Sequence, residues 1–139
     1  MESEDPVSFE EDLSMREQPE ILIVDDNTFN VYSLKLLIEE HFKYPTEIAY
    51  SGQEALTKSK KKLQTTGIPF KLVLTDINMP VMDGFQMSQE LNRIMDQMSI
   101  PNERKSIIYA VTAMNDFEIK GRHQKYGIKE ILTKPVGVG

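Results

Sequence analysis

Five side chains stand where short apolar runs give out. Asp25 and Asp26 follow EILIV (20–24), Asp76 follows FKLVLT (70–75), Thr112 follows IIYAV (107–111) and Lys134 follows EILT (130–133). Three carboxylates brought together repel at neutral pH. A divalent cation or a lysine must offset them, or one must take up a proton. Carboxylate and carbonyl oxygens suit Mg²⁺, which keeps several waters and takes one or two carboxylates. The two histidines, His41 and His123, lie away from these positions, which argues against zinc. Lys134 is a mobile point charge able to reach a carboxylate or a phosphoryl oxygen, and Thr112 offers a hydroxyl to the same oxygen. Such a set suits phosphoryl transfer. Asp76 would be the nucleophile and form an acyl phosphate, with the metal and lysine stabilising charge on the equatorial oxygens. A carboxylate attacks in its ionised form, so no general base is required. A lone Asp at a strand end more often caps the following helix, and that reading competes for Asp25 or Asp26 taken singly. It does not account for polar groups at four strand ends in this order. Asp83 with Gly84 fits a turn into the next helix and is read as structural.

The elements that would position these groups are legible. The four runs above and TEIAY (46–50) are short and rich in β-branched residues, as strands are. Three are nearly all apolar, the mark of parallel strands covered on both faces. Helical patterns alternate with them. Residues 28–42 carry a stripe of Val31, Leu34, Ile38 and Phe42. Residues 52–65 pack through Ala55, Leu56 and Leu63, with Gly67 and Pro69 as the stop. Residues 84–98 present Phe85, Met87, Leu91, Ile94, Met95 and Met98, a face read as core rather than a Met-rich partner surface. Residues 115–126 carry Phe117, Ile119 and Tyr126, with Gly127 as the end. This alternation predicts an α/β fold, a doubly wound five-stranded parallel sheet with its chemistry at the carboxyl ends of the strands.

Composition narrows the class. A chain of 139 residues without cysteine excludes a disulfide scaffold and thiolate metal sites. No run approaches the ~20 apolar residues of a membrane span, and the acidic start is unlike a signal peptide, so no direct membrane contact is expected. The net charge of −6 sits in residues 1–19, which hold seven acids and one base; the remainder is balanced. That gives no footprint for nucleic acid. Residues 1–19 are expected to be an acidic flexible linker, 20–136 the folded domain and 137–139 a tail. The one basic cluster, KSKKK (58–62), is read as the solvated end of a helix.

The blocks VDDN (24–27), LTDINMPVMDG (74–84), AVTAM (110–114) and LTKP (132–135) resemble the receiver domain of two-component response regulators. With Asn30 after VDDN, the likeness is strongest to receivers of hybrid sensor histidine kinases. The resemblance covers residues 20–136. It implies strand order 2-1-3-4-5 and a phosphoryl group accepted by Asp76 from a phosphohistidine on a histidine kinase or a histidine phosphotransfer protein. It implies Mg²⁺ held by Asp26, Asp76 and the backbone carbonyl of Asn78, with Asp25 assisting through water. Lys134 would pair with the phosphoryl group, Thr112 would be the switch hydroxyl, and the Lys134–Pro135 bond would be cis. The implied role is a switch with at most slow autophosphatase activity, located in the cytoplasm or on the cytoplasmic side of a membrane-bound hybrid kinase. It also admits a homodimer.

Three departures from the family pattern stand out. Ile131 occupies the position of a customary aromatic that swings with the switch threonine. Met114 is apolar and should hinder an attacking water, which implies a long-lived phosphoryl group. The chain stops at KPVGVG, so the final helix of the family is expected to be missing and the chain to be a fragment. A non-phosphorylated pseudo-receiver is an alternative favoured by Ile131 and the missing helix, and disfavoured by the intact acid, Lys and Thr positions. An aspartate-based phosphatase would need a second titrating acid two residues after Asp76, where Asn78 stands.

Overall fold

The computed structural model describes residues 19–112 and 121–133. Five strands form one parallel sheet: β1 (Ile21–Val24), β2 (Thr46–Ala49), β3 (Leu72–Thr75), β4 (Ile107–Thr112) and β5 (Glu130–Thr133). Their order is β2-β1-β3-β4-β5, as the resemblance implied. From β1 the chain moves outward to β2, then crosses back to build β3, β4 and β5 on the other side. The strand order therefore reverses at β1 and β3, where ligands gather in open α/β sheets.

Side chains alternate across a strand, and the sheet accordingly splits its apolar residues between two cores. Leu22, Val24, Val73, Ile108 and Ala110 face α2 (Gly52–Thr66) and α3 (Gly84–Gln97). Ile21, Ile23, Leu74 and Val111 face Val31 and Ile38 of α1 (Thr28–Phe42). Burial on both faces is why β1 reads as an unbroken apolar run.

The predicted helical faces mostly hold. Ala55, Leu56 and Leu63 are buried, and so are Met87 and Met95, which places the Met-rich face in the core. Two expected stripe members do not pack. Phe42, at the last position of α1, is 62% exposed, and Met98, one residue past α3, is also exposed. Both lie where the helix leaves the sheet, so the stripe runs past the surface it covers. The expected helix over 115–126 lies partly outside the described residues. Within its described part, Gly121 has φ 97° and His123–Tyr126 form a 3₁₀ turn, so no continuous helix runs through 121–126. Tyr126 of that turn packs on Phe85, with ring centroids 4.9 Å apart. All of the anticipated linker (1–19) except Pro19, together with Met114 and the segment from Lys134 onward, lies outside the described residues. Among the described residues no helix is long and apolar enough to cross a membrane.

Among the described residues each of the three α-helices is capped by the side chain of the residue before it. Asn27 accepts from the Asn30 N–H, Ser51 from the Glu54 N–H, and Asp83 from the Gln86 N–H in a full capping box. Asn27 therefore supplies the cap of α1, not Asp25 or Asp26. Asp83 is structural, as expected. The lysine cluster is only partly a solvated face. Lys58 reaches across to β2, with Nζ 2.8 Å from Glu47 and 3.6 Å from Glu54. Burial pushes the Lys58 ammonium down, but the two carboxylates outweigh it and hold its pKa above the usual lysine value.

Candidate functional site

The register of the sheet brings the acidic residues together. Val24 of β1 pairs with Thr75 of β3, so the residues that follow, Asp25 and Asp76, leave adjacent strands at the same level. The ladder continues one residue beyond the strands: the Asp76 N–H donates to the Val24 carbonyl at 2.8 Å, and the Asp25 N–H to the Ala49 carbonyl at 3.1 Å. Asp26 follows at once. Asp25, Asp26 and Asp76 each present a carboxylate oxygen such that all three lie within 4.8 Å of one another. Asp25 is buried at 5% exposure, Asp76 is half-buried and Asp26 is exposed. The cluster is thus rooted in the sheet and open to solvent on one side.

Local hydrogen bonds fix the acids. Asp25 Oδ1 accepts from the Asn27 N–H at 3.0 Å, and Asp76 Oδ1 accepts from the Ile77 N–H at 2.9 Å. The Thr75 hydroxyl donates to the Asp76 carbonyl at 2.9 Å, holding the peptide that carries the central acid. The loop leaving Asp76 folds back tightly. The Met82 N–H donates to the Pro80 carbonyl at 2.7 Å, and Val81 between them has φ 71°, rare for a β-branched residue. Gly84 then starts α3 directly against the strand end: its N–H donates to the Ile77 carbonyl at 2.8 Å, and a Cβ on it would lie 2.3 Å from the Asp76 carbonyl oxygen. Sequence reading assigned Gly84 only to a turn. Its heavier duty is to let a helix pack against the backbone of Asp76, and the only signal for that is its place between an Asp cap and an apolar helix.

The remaining expected residues divide. Thr112 is fully buried at the end of β4 and pairs with Thr133 of β5. Because Thr75 pairs with Ala110, Thr112 stands one residue beyond the level of Asp76, on the neighbouring strand. Asn78 is exposed two residues after Asp76. Lys134 lies outside the described residues, directly after Thr133. Ile131 is half-buried on β5 and packs against the α2/α3 core. The donor set itself is all hard oxygen with a dense negative charge, which fits a small divalent cation such as Mg²⁺.

The sequence profile described as "Response regulator receiver domain" matches residues 21–139. The chain belongs to the response regulator receiver domain family. This receiver domain is 30% identical over 134 residues to the signal transduction histidine-protein kinase BarA of Shigella flexneri. The match takes in 94% of this chain but only 12% of the kinase, so the receiver corresponds to a small part of that relative's length. Among solved structures it superposes with a TM-score of 0.71 and 30% identity on the co-crystal structure of the Saccharomyces cerevisiae histidine phosphotransfer signaling protein Ypd1 and the receiver domain of its downstream response regulator Ssk1. That match covers 84% of this chain and 79% of the other. It superposes with a TM-score of 0.67 and 25% identity on the CheX-CheY-BeF3-Mg+2 complex of Borrelia burgdorferi, covering 84% of this chain and 78% of the other. The receiver fold and strand order inferred from the sequence are thereby established.

Proposed function

We propose that this receiver domain accepts a phosphoryl group on Asp76 from a phosphohistidine of a partner protein and changes conformation in response. The observation that carries the reading is the convergence of Asp25, Asp26 and Asp76 within 4.8 Å at the carboxyl ends of β1 and β3. In the transfer, an Asp76 carboxylate oxygen bonds to phosphorus as the P–N bond of the phosphohistidine breaks, and the imidazole keeps the electron pair. Asp26, Asp76 and the Asn78 carbonyl would hold Mg²⁺, with Asp25 acting through water. The metal supplies positive charge opposite the acids and the phosphoryl oxygens. Lys134 would pair with the product phosphoryl group. The Thr112 hydroxyl, one residue past the level of Asp76 on β4, would bond to it and shift the strand end that follows. The domain is then a phosphoacceptor with at most slow autophosphatase activity, not an enzyme in its own right.

A docking face next to the site supports a protein donor. Phe29, Tyr32 and Leu36 are 78%, 50% and 54% exposed. Spaced three and four apart on α1, they form an apolar stripe that begins three residues after Asp26. A histidine phosphotransfer protein, of the kind named in the yeast co-crystal structure, or a histidine kinase would seat there and bring its imidazole to Asp76. We place the domain on the cytoplasmic side, inside a longer signalling kinase or phosphorelay protein.

The test is phosphotransfer from a radiolabelled histidine phosphotransfer protein. Label should move to this chain with Mg²⁺ and not to Asp76→Asn. Phe29→Ala should slow transfer from that protein about tenfold while leaving labelling by acetyl phosphate unchanged, since one buried aromatic anchor is worth about 1–2 kcal/mol. Equal transfer to Asp76→Asn would overturn the reading.

A further inference from the structure

The lysine cluster and the acidic amino-terminal segment are the two sequence features that phosphoryl transfer leaves unused. The lysines and Pro19, the residue that follows the acidic segment, line one groove. This groove of about 320 Å³ near the amino ends of β1 and β2, away from the carboxyl ends that carry Asp76, has Lys58, Lys61, Lys62, Phe70 and Pro19 in its lining, together with one acid, Glu47, which Lys58 neutralises. Lys58 is committed to Glu47 and Glu54. Among the described residues neither Lys61 nor Lys62 has a carboxylate at ion-pair distance. Lys62 is half-buried, with its ammonium 5.4 Å from the centre of the Phe70 ring. Burial pushes its pKa down, against a weaker opposing pull from Glu20. A partly desolvated cation without a close counterion gains more from an incoming carboxylate than a fully solvated one does.

We propose that the acidic segment preceding Pro19 docks in cis on this groove, its carboxylates pairing with Lys61 and Lys62. Two observations choose this occupant. The first is charge: residues 2–17 hold seven acids, including the run Glu10, Glu11 and Asp12, against one base, Arg16. The second is attachment: Pro19 is itself part of the groove wall, so the segment joins the domain at the site it would fill. Seven residue steps, with six residues between, lead from Asp12 to Pro19, a reach of up to about 25 Å, whereas Lys58 to Lys62 rises only about 6 Å along α2. A tether this short gives a local concentration in the millimolar range, so weak individual ion pairs suffice for occupancy. A free acidic peptide or a second copy of the chain would have to compete with that.

The chain has no cysteine, so Ser8→Cys offers a single attachment point for a nitroxide spin label. In the ¹⁵N-labelled full chain at about 0.01 M salt, the amides of Lys61, Lys62, Thr65 and Thr66 should be selectively broadened. The broadening should be largely lost at about 1 M salt, where the screening length falls to about 3 Å. It should also be lost in Glu10→Gln/Glu11→Gln/Asp12→Asn, a variant that leaves the described core untouched. Lys61→Gln/Lys62→Gln should lose it too, with the β1 and β3 amide shifts reporting that the sheet is intact. Absence of broadening at these amides in the parent would overturn the proposal, as would equal broadening in the tail-neutralised variant. So would broadening that persists when spin-labelled ¹⁴N chains are mixed with unlabelled ¹⁵N chains, which would assign the contact to a second copy.

Discussion

Gly84→Ala isolates the steric demand of the acidic site. A Cβ at this position would lie 2.3 Å from the Asp76 carbonyl oxygen and 3.0 Å from the Ile77 Cα, both backbone atoms that cannot rotate away. Relief to an ordinary contact near 3.4 Å requires α3 or the 76–77 peptide to move by about 1 Å. Such overpacking costs about 1–3 kcal/mol, set against a gain of up to about 1 kcal/mol from alanine's helix propensity, which is smaller at a helix start. The net expectation is a loss of about 1–2 kcal/mol, or roughly 4–8 °C in thermal midpoint for a domain of this size. The same 1 Å displaces the carboxylate of Asp76 relative to Asp25 and Asp26, so Mg²⁺ affinity should fall at least tenfold. Gly67→Ala is the control. That residue has φ 73° with nothing within 4 Å of a Cβ, so alanine adds only backbone strain of about 1 kcal/mol and should leave Mg²⁺ affinity unchanged. Thermal melts by circular dichroism and Mg²⁺ titration by calorimetry measure both. A Gly84→Ala protein with parental midpoint and parental Mg²⁺ affinity would refute the role of the close approach.

Two further outcomes follow from the electrostatics. Asp26→Asn removes one of three carboxylates whose oxygens lie within 4.8 Å; discounted for the exposure of Asp26, relief of repulsion should stabilise the protein in EDTA by about 1 kcal/mol, while the stabilisation gained from added Mg²⁺ largely disappears. A lower midpoint in EDTA would contradict the assignment of the cluster as mutually repulsive. Glu39 ties α1 to β2: its carboxylate accepts from Lys35 Nζ at 2.8 Å, the Thr46 N–H at 3.0 Å and the Thr46 hydroxyl at 2.9 Å. The Lys35 bond is the main force holding the Glu39 carboxyl below the usual range, with burial opposing it. The stability it contributes is present above the unfolded carboxylate pKa and is lost as pH falls through the lower folded value. Glu39→Gln should therefore cost about 0.5–1 kcal/mol at pH 7 by urea denaturation, and the gap from the parent should close in acid.

The strands and the acidic cluster were legible because the same residues encode both. An apolar run covered on two faces ends where the sheet ends, so Asp25, Asp76 and Thr112, which close the runs of β1, β3 and β4, fall on one rim. Register then needs no further information at β1 and β3, whose runs stop at paired residues, Val24 and Thr75. What the sequence hid is three-dimensional. The apolar spacing of α1 continued to Phe42, yet the sheet beneath it had already ended. The period alone could not separate a buried stripe from the exposed Phe29, Tyr32 and Leu36 on the other side of the same helix. Gly121 at φ 97° breaks a helical pattern that its neighbours otherwise satisfy. Lys58 and Lys62 looked like solvated charges because their partners, Glu47 and Phe70, come from distant segments.

Phosphate acceptance at a single carboxylate is the claim on which the account turns, and intact mass spectrometry after incubation with acetyl phosphate and Mg²⁺ measures it most directly. The chain should gain one phosphoryl group, with none gained by Asp76→Asn or in EDTA. A folded chain that gains no phosphoryl group, or an Asp76→Asn variant that gains one as readily, would contradict it.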